Sequence, residues 1–175
     1  MDSNISLSQI RSEIDKIDEQ IMSLLATRQK AILKVAEYKK DHNLPIFSPD
    51  RENEIFNRVE QHINEESSNG FKLLYGILMD LYKFHEYKAV PDSIRVPTNV
   101  GGASVRAVID DTPFALCRYL SPLAIANVSI INIRSQFMPG GRLLVDLELS
   151  GDVSDPSFAA VLSVLSDAAE KFTLL

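Results

Sequence analysis

The chain has one cysteine, Cys117, among its 175 residues, so neither an intrachain disulfide nor a thiolate metal cluster can form. Histidine is nearly as scarce: His42, His62 and His85 are scattered, without the spacing of a metal-ligand set. No uninterrupted apolar run approaches the ~20 residues of a membrane span, and Met1-Asp2-Ser3-Asn4 does not read as a secretory signal. Basic clusters are missing too. The 18 Lys and Arg are dispersed and the net charge is −6, which argues against a nucleic-acid or anionic-membrane surface. The expectation is a soluble, cytoplasmic protein that works without metal or cofactor. With 45% hydrophobic residues, the chain has enough apolar surface for one or two cores.

The most telling absence is local. From Leu7 to Lys40 there is neither glycine nor proline, and Ile10, Ile14, Ile17, Ile21, Leu24, Leu25, Ile32 and Val35 recur at helical spacing. That rhythm calls for apolar residues near positions 28 and 39, where the chain has Arg28 and Lys39. A cation on a core-facing stripe is costly unless an anion pairs with it. The partner is either a carboxylate of the fold or a ligand. Arg28 and Lys39 lie about three turns and roughly 16 Å apart on one face, which leaves room for a small anion between their side chains. Arg11 stands roughly 26 Å from Arg28 along the same helix, too far to share a small pocket with it. It could do so if a second copy packed antiparallel. At about 50 Å the helix is too long to bury its stripe within one short chain, so a homodimer is the natural reading.

The chain divides near position 90. Two further helices precede the division. One begins at Ser48-Pro49, with Ser48 at the N-cap, and runs to about Glu66. Ser67-Ser68-Asn69-Gly70 reads as a turn, and the third helix carries Leu74, Ile77, Leu78, Leu81 and His85 on adjoining faces. Residues 91–103, with Pro91, Pro97, Gly101 and Gly102, read as a linker. The period then changes: strand 105–109, helix 113–126 bent or restarted at Pro122, strand 128–137, a turn, strand 142–149, amphipathic helix 157–171 and a short last strand, 172–175. That βαββαβ order predicts a four-stranded sheet with two helices on one face, a ferredoxin-like α+β unit.

The N-terminal segment resembles the all-α chorismate mutases. The likeness rests on Arg11, on Leu24-Leu25-Ala26-Thr27-Arg28, on Val35-Ala36-Glu37-Tyr38-Lys39, and on Pro45-Ile46 followed by Arg51-Glu52. It implies an intertwined dimer of three-helix chains that converts chorismate to prephenate. It also implies roles. Arg28 and the partner subunit's Arg11 grip the two carboxylates, and Lys39 faces a carboxylate and the ether oxygen. Glu52 meets the ring hydroxyl, and Arg51 supports from the start of the second helix. Ser48 stands where many members have an aspartate. The family's third helix usually supplies a small hydroxyl residue and, four positions later, a glutamine on the ether oxygen; Tyr82 and Glu86 fall at those places here. The reaction needs no nucleophile, only a held geometry and a cation where negative charge develops.

The segment 104–175 resembles the ACT domain, a small amino-acid-binding regulatory module. The resemblance rests on strand order, on Pro113-Phe114-Ala115-Leu116 and on Ile133-Arg134-Ser135-Gln136. It makes Phe114, Ala115, Leu116, Arg134 and Ser135 candidate contacts for an aromatic amino-acid effector. Phe114 stands where members usually carry glycine, and Arg134 and Gln136 replace a glutamate and an arginine. The unit could bind a different ligand or chiefly dimerise. The whole is thus read as residues 1–90 all-α, 91–103 linker and 104–175 ACT-like. An isochorismate-pyruvate lyase on this scaffold would use the same cations; a non-catalytic amino-acid sensor is a further reading, against which the intact set Arg11, Arg28, Lys39, Arg51 and Glu52 argues. Bland readings stand beside the site as well. Arg28 could meet a buried acid, Arg11 could pair with Asp15 on the surface, and Tyr82 and Glu86 could be an exposed helix edge.

Overall fold

The computed structural model describes residues 6–63, 65–89, 101–152 and 154–175. Most of the expected linker, residues 91–100, lies outside the described residues. Helix α1 runs Leu7–Asp41. It opens with a capping box, in which the Ser6 hydroxyl accepts from the Gln9 N–H and the Gln9 side chain accepts from the Ser6 N–H at 2.8 Å. It ends where Asn43 adopts φ 51°, a left-handed position that asparagine tolerates. The long apolar stripe is present but largely uncovered: Ile10, Ile14, Ile17 and Ile21 are 44–51% exposed, and the helix's one buried residue is Ala36.

Helices α2 (Pro49–His62) and α3 (Glu65–Ala89) complete the all-α part. The break between them comes earlier than the sequence suggests. Ser67-Ser68-Asn69-Gly70 is helical, inside α3. These weak helix formers lie in the first two turns of a long helix whose remaining turns are held by tertiary packing, and an ion pair from Lys72 to Glu60 ties this end to α2. The inward face also differs from expectation. Leu74 is 56% exposed, whereas Met79, Asp80, Tyr82, Lys83, Phe84, Glu86 and Tyr87 are buried. His85 is partly exposed.

Beyond residue 100 the elements are β1 (Ala103–Asp110), α4 (Ala115–Ile125), β2 (Ser129–Met138), β3 (Arg142–Ser150), α5 (Pro156–Asp167) and β4 (Lys171–Leu174). The strands form one antiparallel sheet in the order β2-β3-β1-β4, with a register shift between Ile130 and Asn132. The expected βαββαβ arrangement is therefore present. Pro122 neither breaks nor restarts α4, which is one helix with that proline inside. Alternation sets the faces: Val105, Ala107 and Ile109 of β1 and Leu143, Val145, Leu147 and Leu149 of β3 point into the core. Arg106 donates to both carboxylate oxygens of Asp146 on the open face, at 2.7 and 3.0 Å.

Helix α5 is not amphipathic in its setting. Phe158 and Ala160 through Leu165 are all buried, because the helix is covered by the sheet on one side and by α3 on the other. Helix α3 also packs on α4, and its Phe84 and Tyr87 belong to the same hydrophobic cluster as the sheet. The Tyr87 hydroxyl donates to Asp167 Oδ2 at 2.6 Å. The layers run open sheet face, α4 and α5, then α3 with α1 and α2 beyond.

Candidate active site

Three helices and the α1–α2 connection enclose a cavity of about 320 Å³, a size that suits a small metabolite. Helix α1 contributes Arg28, Ile32, Val35 and Lys39; the connection and α2 contribute Ile46, Ser48, Arg51, Glu52 and Ile55; α3 contributes Met79, Lys83 and Glu86. Arg28 and Lys39 do share one cavity, as their spacing predicts. Arg28 forms no ion pair among the described residues. Its guanidinium lies 4.3 Å from the Tyr82 ring centroid, and its Nη1 is buried without a hydrogen-bond partner. The fold thus supplies no acid for this cation, and an aromatic face is weak compensation for a buried charge.

Lys39 is held at the far end. Its Nζ donates to the Ile46 carbonyl at 2.6 Å and to Glu86 Oε2 at 3.2 Å. Glu86 is buried, not an exposed edge. Burial raises its pKa, and the nearby Lys39 and Lys83 oppose that rise without cancelling it. Tyr82 is buried too, but its hydroxyl donates to the Leu25 carbonyl at 3.2 Å, so it supports Arg28 from behind and does not line the cavity.

Glu52 sits among charges contributed by α3 and α4. Lys83 Nζ is 2.9 Å from Glu52 Oε1 and 2.9 Å from Asp80 Oδ1, and Arg118 of α4 donates to Glu52 Oε2 at 3.0 Å. Burial pushes the Glu52 pKa up, but Lys83 and Arg118 outweigh it and the net direction is down, so Glu52 is a carboxylate. For Asp80 burial prevails and the pKa is raised. Burial lowers the Lys83 pKa, but its two acids more than restore it and it stays an ammonium. Lys83 could have been suspected from position, since Met79, Lys83 and Glu86 fall at i, i+4 and i+7 on one face of α3.

Ser48 stands at the N-cap position of α2 but makes no side-chain capping bond, so its hydroxyl is not committed to the helix. Arg51 is exposed and bonds Glu54 at 2.5 Å. It also lines, with Arg28, Arg58 and His62, a neighbouring cavity of about 560 Å³. Arg11 is exposed, lies in neither cavity and makes no ion pair with Asp15 or any other described residue. The candidate effector residues are not gathered in one place within the chain. Phe114, at φ 65°, and Ala115 line a cavity against α2 and α3, and Leu116 packs at the edge of the core. Arg134 and Ser135 lie on β2, opposite Asp146 and Val145.

A cavity holding an unpaired arginine and a lysine beside an ionised carboxylate is suited to a small molecule that carries both carboxylate and hydroxyl groups. Residues 10–87, which supply that cavity, match the family described as chorismate mutase type II. The segment is 44% identical over 64 residues to a bifunctional chorismate mutase/prephenate dehydratase of Aquifex aeolicus, covering 37% of this chain and 17% of that protein. It is 38% identical over 61 residues to a chorismate mutase of Methanocaldococcus jannaschii, covering 35% and 62%. A T-protein of Haemophilus influenzae is 40% identical over 47 residues, covering 27% and 12%. The chain thus spans less than two thirds of the length of each. No described helix is long and apolar enough to cross a membrane.

Proposed function

We propose that the protein is a chorismate mutase that rearranges chorismate to prephenate in aromatic amino-acid biosynthesis, in the cytoplasm. Residues 1–90 form the catalytic unit, and the expected linker of 91–103 ends one residue sooner, since Ala103 already belongs to β1 of an ACT-like unit whose candidate effector is an aromatic amino acid. The observation that carries the reading is Arg28, a half-buried cation whose Nη1 is buried without a partner and for which the described residues provide no counter-ion; a substrate carboxylate is the partner the cavity calls for.

The remaining roles are those the family resemblance implies. Lys39 stabilises the charge that develops on the ether oxygen as the C–O bond breaks, and Glu86, in its protonated form, donates from the opposite side. Lys39 cannot serve Glu86 and a substrate carboxylate equally. When substrate takes the lysine, Glu86 loses its counter-ion beside new negative charge, and its pKa rises further. Glu52 accepts from the ring hydroxyl, with Ser48 near it and Arg51 at the rim. The chain is a homodimer: the uncovered stripe of α1 is the seam, and an antiparallel partner brings its own Arg11 to the second carboxylate.

The test is product identification with purified protein and chorismate, no metal or cofactor added. Prephenate should form, and Arg28→Ala should lower kcat/KM by about 10²–10³-fold, the usual cost of one charge-stabilising donor. Unchanged turnover in that variant would remove the cavity from the chemistry, and pyruvate released from isochorismate with higher efficiency would make the protein a lyase.

A further inference from the structure

We propose that Arg118, a residue of the sheet-bearing half, is a positioning residue for the candidate active site: from α4 it fixes the carboxylate of Glu52 in the orientation the substrate hydroxyl meets. The inference rests on the reading of Glu52 given above and extends it to a part of the chain outside the family match, which ends at residue 87.

Four observations converge on this side chain. Both oxygens of Glu52 are tethered from different helices, Oε1 by Lys83 of α3 at 2.9 Å and Oε2 by Arg118 of α4 at 3.0 Å. A carboxylate held at both oxygens by two separate elements cannot rotate about its last torsion without breaking a charged contact. Asp80 Oδ2 is 3.7 Å from Arg118 Nε and draws the guanidinium toward α3. The Phe56 ring lies beneath it, 5.1 Å from Cζ to centroid. Finally, Gly76 leaves the passage open: a Cβ there would stand 2.8 Å from Arg118 Nε and 3.0 Å from Cδ. The small residue on α3 and the long one on α4 fit together.

A purely structural role predicts a loss of stability alone. A positioning role predicts a change in what Glu52 does. Glu52 is faced by Lys83 and Asp80 from α3, by Arg118 from α4 and by the field of Asp167 from α5. Removing Arg118 leaves one cation against the burial and the acids, so Glu52 should protonate at higher pH. Activity that needs its carboxylate should then fail at higher pH on acidification.

The experiment compares wild-type, Arg118→Ala, Arg118→Lys and Gly76→Ala full-length proteins. Three readouts are taken: steady-state kinetics on chorismate across pH, thermal melting, and ¹³C NMR titration of the Glu52 carboxyl. For Arg118→Ala we expect kcat/KM to fall by about 10–100-fold, as for a misplaced catalytic group. Its acid limb should move to higher pH, and the Glu52 titration should move with it. Arg118→Lys should recover part of each effect. Gly76→Ala, which keeps the charge but crowds the guanidinium, should shift the same readouts less. A lowered melting temperature with kcat/KM within twofold of wild type and an unmoved Glu52 titration would overturn the proposal. Should Arg118→Ala fail to fold, the Gly76→Ala and Arg118→Lys proteins decide by the same criteria. If wild-type protein does not turn over chorismate, the catalytic reading fails by itself, and the Glu52 titration alone decides whether Arg118 holds that carboxylate.

Discussion

Replacing Ile17 with aspartate should dissolve the proposed dimer and take the activity with it. Ile10, Ile14, Ile17 and Ile21 are each about half exposed on α1, between 44% and 51%. Fully burying an isoleucine is worth roughly 1.5–3 kcal/mol, so completing the burial of each adds about 1 kcal/mol. Across two copies that is about 8 kcal/mol from these four positions, the same order as the ~4–15 kcal/mol that association costs in lost freedom. The net margin is narrow, and one polar substitution near the middle of the stripe matters. Ile17→Asp forfeits about 1 kcal/mol per copy and adds two carboxylates to desolvate. The dissociation constant should rise at least ~30-fold. Sedimentation across a protein dilution series measures that constant directly, and specific activity over the same series should fall as dimer is lost. Mixing Arg11→Ala and Arg28→Ala proteins, each inactive alone, should restore a fraction of activity once subunits exchange, since one site of the heterodimer keeps both arginines. The reasoning fails if Ile17→Asp sediments like wild type, or if a monomeric species retains full turnover.

Two further outcomes bear on the buried charges. Burial raises the Glu86 pKa above that of a free glutamate, and a donor role needs the protonated form. Activity should therefore fall as pH rises through that pKa; Glu86→Gln, a donor at every pH, should flatten the profile over pH 5 to 8, and an unchanged slope would take Glu86 out of the reaction. Lys83→Met leaves Glu52 and Asp80 without their shared ammonium, a loss of about 3 kcal/mol or more at neutral pH, read from urea denaturation. Deprived of that cation, both acids have folded-state pKa values above their unfolded ones, so the deficit should shrink as pH falls through them; an equal deficit at pH 5 and pH 8 would contradict this.

What could be read in the sequence follows from how each element is buried. Helix α1 touches its surroundings along one face, so its period is clean and the two cations that interrupt it stand out. Strand β3 alternates because only one sheet face is covered, and the short β4 follows the same rule, which makes the βαββαβ order legible. Helix α5 misleads for the opposite reason: enclosed by the sheet and by α3, it buries an almost continuous run from Phe158 to Leu165, and no single stripe describes it. Helix α3 hides its register because its inward face is itself charged. Asp80, Lys83 and Glu86 point where a generic helix would place leucine, and Tyr82, Phe84 and Tyr87 share the burial. Arg28 and Lys39 are visible as breaches of an apolar rule, whereas Lys83 lies in a stretch of α3 where charged and apolar residues alternate without a clean stripe to breach. Arg118 offered no local signal, since the carboxylate it bonds lies 66 residues earlier in the chain.

The shared use of α3 bears on how such a chain could be cut, joined or inherited. Its last turns are a party wall: Phe84 and Tyr87 pack with the sheet's own residues, and the Tyr87 hydroxyl closes on Asp167. A gene truncated after residue 90 would leave those rings in water and Asp80 without Arg118. The sequence joins two modules end to end, but the free energy does not divide where the sequence does. Any lineage that gained or lost the second half had to rewrite one face of α3 in the same passage, so the residues from Asp80 to Tyr87 should keep a record of whether a neighbour was present.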